Sequence, residues 1–353
     1  APLTALRRVV AETVVACVEV ASTGNLAAGG SAAAAISQRL DVASMAEATS
    51  AILSVVERGR ASSRSEAGAS VLGSLLEAAP APPPSDLLGS LLDTLVPGTL
   101  LPAGGGGEGE GCARAFARCL QILIKVSGVA ALIEEAAPRI HAGLSDLGVG
   151  EMLAAESFEC LLAILQSGVV GLAAHRRVSA EAVAILLPRA ESALLQTHAV
   201  KCAGPLVRSL GEKTAEPELQ AAVVAALETL LAGAGTTLRP LMPAMQTALL
   251  RLLDGGSNVS QELQDAAARA LGALAPSAPR PETLVKALGK APLKPAALAA
   301  LAEVLRVLGP PGSTGRLSAE AVREARVILD AAAGADDEAV RAAGARAAAA
   351  LAD

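Results

Sequence analysis

Arg208 is the only charged side chain in an otherwise apolar stretch, Gly-Pro-Leu-Val-Arg-Ser-Leu-Gly (204–211). Leu206 and Leu210 are four residues apart and would share one face of a helix, so Arg208 would point away from that face, towards solvent or a partner. Its guanidinium offers five donors in a planar fork that suits a carboxylate. The alternative is a local ion pair with Glu212, four residues further on. Surface arginines more commonly form such local pairs.

The Gly204-Pro205 pair predicts the start of the helix that carries Arg208. Proline is favoured in the first turn of a helix, where its missing N–H needs no partner. The preceding residues 196–203 also have a helical composition. We therefore expect two helices that meet at Gly204, with Arg208 in the first turns of the second.

Other residues that could do chemistry form no recognised site. Neither a Gly-x-Ser-x-Gly nor a His-Glu-x-x-His motif occurs. His198 and Cys202 are four apart and could be half of a metal site, but no further ligand is near in the sequence. Cys112 and Cys119, seven apart, fit core packing on one helical stripe. The three histidines are His141, His175 and His198. We expect no catalytic residue, no metal, no cofactor and no small-molecule substrate.

Two glycine-rich stretches and three basic clusters have simple interpretations. No strand precedes residues 104–111, and residues 309–316 lack the Lys-Ser/Thr ending of a nucleotide-binding loop, so we interpret the first as a linker and the second as a turn. The basic clusters fit solvated helix faces, or an accessory surface for an acidic partner or ribosomal RNA. They are Arg7-Arg8, His175 with Arg176 and Arg177, and Lys286 with Lys290 and Lys294.

The composition indicates an all-α protein. The chain has 353 residues, of which 52% are hydrophobic and 18% charged, with two Phe and no Tyr or Trp. Ala and Leu dominate the apolar residues and are the best helix formers, whereas strands favour the aromatic residues that are scarce here. The net charge of −6 argues against a nucleic-acid-binding protein, and the absence of aromatic stacking platforms argues against single-strand binding.

The sequence shows no signal peptide and no apolar run long enough to span a membrane. The five cysteines follow no pairing pattern, which suits a reducing compartment. We expect a cytoplasmic protein without a membrane partner. Because the chain begins at Ala1, we also expect it to be a fragment of something longer.

Helix pairs recur at a spacing of about 40 residues, which is typical of HEAT or armadillo repeats that stack into an α-solenoid. In one pair, Leu238, Leu241, Met245, Leu249 and Leu252 or Leu253 form the stripe of the first helix. Leu263, Ala267, Leu271 and Leu274 form that of the second, with Asn258 or Ser260 as its cap. Further pairs are expected over 203–233, 281–308 and 316–352, with looser members at 112–126 and 151–168.

Two stretches interrupt this period. One is rich in proline (80–86) and one is rich in glycine (97–111). We interpret both as flexible insertions between helices. Neither brings a change of fold type, so we expect a single α-solenoid domain over residues 1–353.

An ordered series of segments carries a resemblance to a known family. The segments are GPLVRSLGEK (204–213), AAVVAALETLLAGAGTTLRPLMPAMQTALLRLL (221–253) and DAAARALGALA (265–275), with VAETVV (10–15) and LVKALGK (284–290) on either side. Together they resemble the kinase-binding, C-terminal HEAT-repeat region of the Gcn-one translational activators of general amino-acid control. The likeness is strong over 203–275 and poor over 20–110.

The resemblance implies a non-catalytic scaffold. Members of that family associate with ribosomes and bind the RWD domain of the Gcn-type kinase, which phosphorylates the alpha subunit of translation initiation factor two when amino acids are scarce. The resemblance places the kinase contact at Arg208. Leu241 takes the place of the family's aromatic residue after Leu-Arg-Pro, and Asp254 closes that helix. These three residues are the expected partner-binding set.

A generic HEAT-repeat adaptor for transport or for the cytoskeleton is the alternative. A tubulin-binding array would usually carry aromatic or basic residues in its inter-helix turns, whereas the turns of this chain carry Gly, Ser and Asp. Binding to an RWD domain, compared between the wild type and Arg208→Ala, would separate the two hypotheses.

Overall fold

The computed structural model describes residues 2–56, 61–102, 107–148, 150–212, 215–255, 259–290, 292–308 and 317–352. Within these ranges the regular structure is helical, apart from one isolated antiparallel bridge between Pro102 and Leu153. The chain divides into two compact units, Ala1–Glu191 and Ser192–Asp353. Whether the whole chain behaves as the single domain expected from the sequence stays a prediction.

The first unit is a stack of helix pairs in two layers. The two helices of each pair pack against each other: α1 with α2, α3 with α4, α5 with α6, and α7 with α8. The helices α1, α3, α5, α7 and α9 contact in series, and α2, α4, α6 and α8 do the same. The bounds are α1 Pro2–Ser22, α2 Leu26–Ser37, α3 Val42–Val55, α4 Ser63–Ala78, α5 Ser85–Thr99, α6 Gly107–Ser127, α7 Val129–Asp146, α8 Ala155–Val169 and α9 Ala173–Leu186.

The second unit repeats this plan. The helices α11, α13, α15 and α17 contact in series, and α10, α12, α14 and α16 pack against them. The bounds are α10 Ser192–Gly211, α11 Pro217–Ala234, α12 Met242–Leu253, α13 Gln261–Leu274, α14 Pro281–Leu288, α15 Pro295–Leu308, α16 Ala319–Ala333 and α17 Glu338–Ala352. The predicted class, an all-α HEAT/armadillo-type solenoid of helix pairs, is confirmed.

The start and the buried stripe of α13 follow the sequence, whereas the stripe of α12 is shifted by one residue at its beginning. Ser260 is the N-cap of α13, and its Oγ accepts a hydrogen bond from the backbone N–H of Leu263 at 3.2 Å. The other proposed cap, Asn258, lies outside the described residues. The α13 stripe is buried as predicted. In α12, Met242 is buried in place of the half-buried Leu241, because Arg239–Leu241 form a tighter 3₁₀ turn that shifts the register.

The predicted helix start at Pro205 is wrong. α10 runs without a break from Ser192 to Gly211, with Pro205 inside it. A buried stripe passes straight through the proline: Leu195, Ala199, Cys202, Ala203, Leu206 and Leu210. An interior proline costs about 3 kcal/mol, and burial of two or three leucine-sized side chains is enough to offset it. Arg208 therefore lies in the last turns of a long helix.

The two predicted insertions are shorter than the sequence indicated. α5 begins at Ser85, so only residues 80–84 of the proline-rich stretch are non-helical. α5 continues through Pro97 to Thr99, and α6 begins at Gly107, so the described non-helical part of 97–111 is 100–102. Residues 97–99 and 107–111 are helical because they continue the buried stripes of α5 and α6. Residues 103–106 and the turn at 309–316 lie outside the described residues.

All five cysteines are buried, which confirms core packing for Cys112 and Cys119. Burial raises the pKa of the Cys160 thiol from an ordinary 9.0 to about 12. Burial, and secondarily the neighbouring Cys160, also raise the pKa of Cys119.

We expect the native thiols to resist a disulfide reagent at pH 8. Reaction should be at least about a hundredfold slower than after denaturation, because the thiolate is the reactive form and is disfavoured by burial. Because the thiol pKa is higher in the folded chain than in the unfolded chain, the stabilisation is complete at a pH below the unfolded pKa and is lost as the pH rises through the folded pKa. The free energy of unfolding should therefore fall as the pH rises above about 9. Ellman's assay and urea melts across this pH range test both expectations, and rapid labelling of the native chain would contradict them.

Candidate functional site

Arg208 is exposed on α10, and Leu206 and Leu210 on either side of it are buried. The prediction that the two leucines hold the helix while the arginine points outwards is confirmed. Arg208 forms no ion pair with any residue in the described ranges, and the local pairing with Glu212 is not made. Its guanidinium is therefore available to a carboxylate from outside the chain.

The C-terminal ends of α10 and α12 are joined next to Arg208. Arg251, in the last turn of α12, donates from Nη1 to the backbone carbonyl of Gly211 at 3.1 Å. Such a cation compensates the carbonyls at the end of α10. Arg251 was not among the residues predicted from the sequence, although a basic residue in the last turn of a predicted helix is a recognisable signal.

Asp254 ends α12 and connects it to the start of α15. Its carboxylate is 80% exposed, and its Oδ1 lies 3.5 Å from the Nζ of Lys294. The same Nζ donates to the backbone carbonyl of Asp254. Asp254 is thus at the same end of the unit as Arg208, where it pairs with a lysine that was expected to belong to a separate basic surface.

A groove of about 400 Å³ opens between these helix ends. Three cations, Arg251, Lys290 and Lys294, line it against one carboxylate, Asp254, in a chain whose net charge is −6. Lys290 is exposed. The remaining lining residues are Thr247, Leu250, Leu253, Ala287, Leu288, Pro292 and Ala297. We call this groove, together with Arg208, the basic edge of the second unit.

Leu241 is not part of the basic edge. It precedes the first residue of α12, whereas Asp254 follows the last. The 12 residues of α12 separate the two by about 18 Å at 1.5 Å per residue. The structure therefore brings Arg208 and Asp254 to one end of the unit and leaves Leu241 at the other end of α12. Their joint role in binding stays a prediction.

The proposed accessory basic residues are distributed over both units. In the first unit, Arg176 Nε donates to the carbonyl of Val169 at 2.9 Å, which ties α9 to the end of α8. Arg177 lies 3.9 Å from Glu181 on its own helix. These contacts give both arginines a structural role, and their contribution to binding an acidic partner stays untested.

Lys286, in the second unit, is neutralised by the neighbouring helix. Its Nζ lies 3.1 Å from Glu320 and 3.4 Å from Glu324. Hydrogen bonds to these two carboxylates raise the pKa of Lys286. Among the three predicted lysines, only Lys290 and Lys294 reach the groove.

Within the described ranges, no group of three or more His, Cys, Asp or Glu side chains could hold a metal ion. The helices that the structure describes include none that is long and apolar enough to cross a membrane.

The chain is similar to a known kinase activator. Over 158 residues it is 32% identical to the "eIF-2-alpha kinase activator GCN1" of Saccharomyces cerevisiae, a match that covers 42% of this chain. The chain spans only 6% of that protein's length. No family model matches.

Similar solved structures include Kap95p with RanGDP, at a TM-score of 0.43 and 9% identity over 88% of this chain and 49% of that one. Importin beta has a TM-score of 0.40 and 13% identity over 98% of this chain and 46% of that one. The chain thus spans about half the length of each. Scores at this level carry no functional conclusion.

Proposed function

We propose that this chain is a non-catalytic scaffold that docks the RWD domain of a Gcn-type kinase on the basic edge. The kinase acts on translation initiation factor two alpha, and docking would couple amino-acid starvation or ribosome stalling to kinase activation in the cytoplasm. Ribosome binding would belong to a longer protein. The observation that carries the proposal is Arg208, exposed and without an ion pair in the described chain.

Charge and geometry support a docking role for this edge. An exposed arginine without an intramolecular partner loses no internal contact when it binds a carboxylate, and its fork can make two parallel hydrogen bonds. The groove at the same end of the unit carries a surplus of positive charge, which would speed encounter with an acidic surface. The likeness to a protein named as a kinase activator suggests which partner to test.

Titration of the labelled RWD domain with the whole chain tests the proposal. We expect saturable binding that weakens between low and physiological salt, because exposed charges are screened over about 8–10 Å. An unrelated domain of the same net charge is the control and should not bind. If the RWD domain does not bind either, the proposal is wrong and a generic HEAT-repeat adaptor becomes the better hypothesis.

A further inference from the structure

A second groove lies in the first unit, between the C-terminal ends of α5 and α7. Its volume is about 530 Å³, within the usual range for binding sites of about 300–1,000 Å³. Its lining comes from α5, from α7 and from the residues that follow each of these helices. None of the lining residues belongs to the basic edge, so this groove, which we call the α5–α7 groove, is a separate site.

The wall of the α5–α7 groove is apolar. Leu101, Pro102 and Leu147 are partly exposed there, above the buried Leu100. Gly143 keeps the wall close to α7, because a Cβ at this position would overlap Leu100 Cδ1. Apolar surface at this depth favours an apolar side chain of a ligand.

The rim of the α5–α7 groove is acidic. Asp93, Asp146 and Glu151 line it, and its one cation, Arg139, is already paired: its Nε lies 2.8 Å from Asp93 Oδ1, and Nη1 contacts Glu135. Asp146 makes no ion pair with the described residues. α5 ends at Thr99, and its C-terminus adds negative partial charge. The C-terminus of α7 is compensated by Arg189, which donates to the carbonyls of Leu147 and Gly148.

The groove is held in shape by contacts from a distant segment. Arg189 donates to the carbonyls of Leu147 at 3.2 Å and Glu151 at 3.3 Å, and also to that of Gly148. The backbone N–H of Leu153 donates to the carbonyl of Arg189 at 2.9 Å. A pocket fixed in this way needs little ordering when a ligand enters.

We propose that the α5–α7 groove binds a segment of another protein in which large apolar side chains stand next to lysine or arginine. The apolar wall would contact the apolar side chains, and Asp146 would pair with the lysine or arginine. The rim favours a cation because its lining residues include a surplus of carboxylates and no unpaired cation. Charge complementarity of this kind selects the partner and sets the approach. The site is opposite in sign to the basic edge, so it would recruit a different partner.

Fluorescence anisotropy with the whole chain tests this proposal. The probe is a short labelled peptide with paired leucines flanked by lysines, and the matched peptide carries glutamates in place of the lysines. The lysine peptide should bind and the glutamate peptide should not. Asp146→Lys should weaken binding by about tenfold, the scale of a lost charge pair at an interface. Ala142→Phe, which fills the groove from an exposed position, should abolish it.

Glu134→Lys is the matched control, because Glu134 is exposed on the same helix but outside the groove. It should bind the lysine peptide as the wild type does. The proposal is overturned if the wild type does not bind that peptide, if both peptides bind equally, or if Asp146→Lys and Glu134→Lys behave alike. Circular dichroism melts of each variant establish that the fold is kept.

Discussion

Replacing Arg208 with alanine should weaken binding of the RWD domain by about 30-fold or more. Truncating one side of a desolvated interfacial Arg–carboxylate pair costs about 2–5 kcal/mol, and about 1.4 kcal/mol corresponds to a factor of ten. The melting temperature should not change, because Arg208 is exposed and pairs with no described carboxylate of its own chain. Calorimetric titration of both proteins with the RWD domain measures the difference.

Two further variants make the Arg208 result specific. Arg208→Lys keeps the charge but loses the planar fork, so its affinity should fall between those of the wild type and Arg208→Ala. Arg326→Ala removes an exposed arginine of α16 in the same unit and should bind like the wild type. If Arg208→Ala also binds like the wild type, the assignment of Arg208 is wrong, even if the chain does bind the RWD domain.

The sequence predicts the helix pairs well because each pair carries its own signals. Apolar stripes such as that of α13 and the cap at Ser260 are encoded within one helix, so the folded structure shows them as the sequence predicts. Pro205 shows the limit of this reasoning. Proline locally favours the start of a helix, but burial of the α10 stripe stabilises a helix that continues through it. That burial depends on neighbouring helices, so ten residues of sequence do not predict it.

The candidate site was less predictable because its contacts join different repeats. Arg251 with Gly211 and Lys294 with Asp254 are each 40 residues apart, close to the repeat period. Arg189 with Gly148, at 41 residues, follows the same rule in the first unit. The period was visible in the sequence, so a search for polar residues one period apart could have indicated these contacts. Their geometry required the stacked helices.

Of the substitutions proposed here, Phe116→Ala should lower the free energy of unfolding most. The chain contains only two phenylalanines, and Phe116 on α6 is 1% exposed. Its ring lies directly on the backbone of α5, since a Cβ at Gly98 would overlap the ring atoms Cγ and Cδ1. Removing a buried phenylalanine side chain leaves a cavity and lowers the free energy of unfolding by about 3–5 kcal/mol.

The measurement must report on the first unit. Because the chain has no Trp or Tyr, far-ultraviolet circular dichroism replaces intrinsic fluorescence for the urea melts. Hydrogen exchange should show lost protection in α5 and α6, with α10–α17 unchanged if the two units unfold separately. Val327→Ala, at a valine that is 67% exposed on α16, is the control and should change stability by no more than about 0.5 kcal/mol.

A second substitution tests the contact between Phe116 and Gly98 itself. Gly98→Ala in the wild type should be destabilising, because the new methyl group would overlap the ring. In the Phe116→Ala background the same change places that methyl group in the cavity, so it should be neutral or stabilising. A reversal of sign between the two backgrounds requires that the two residues touch. Equal effects of Gly98→Ala in both would show that the ring does not pack on α5 as described.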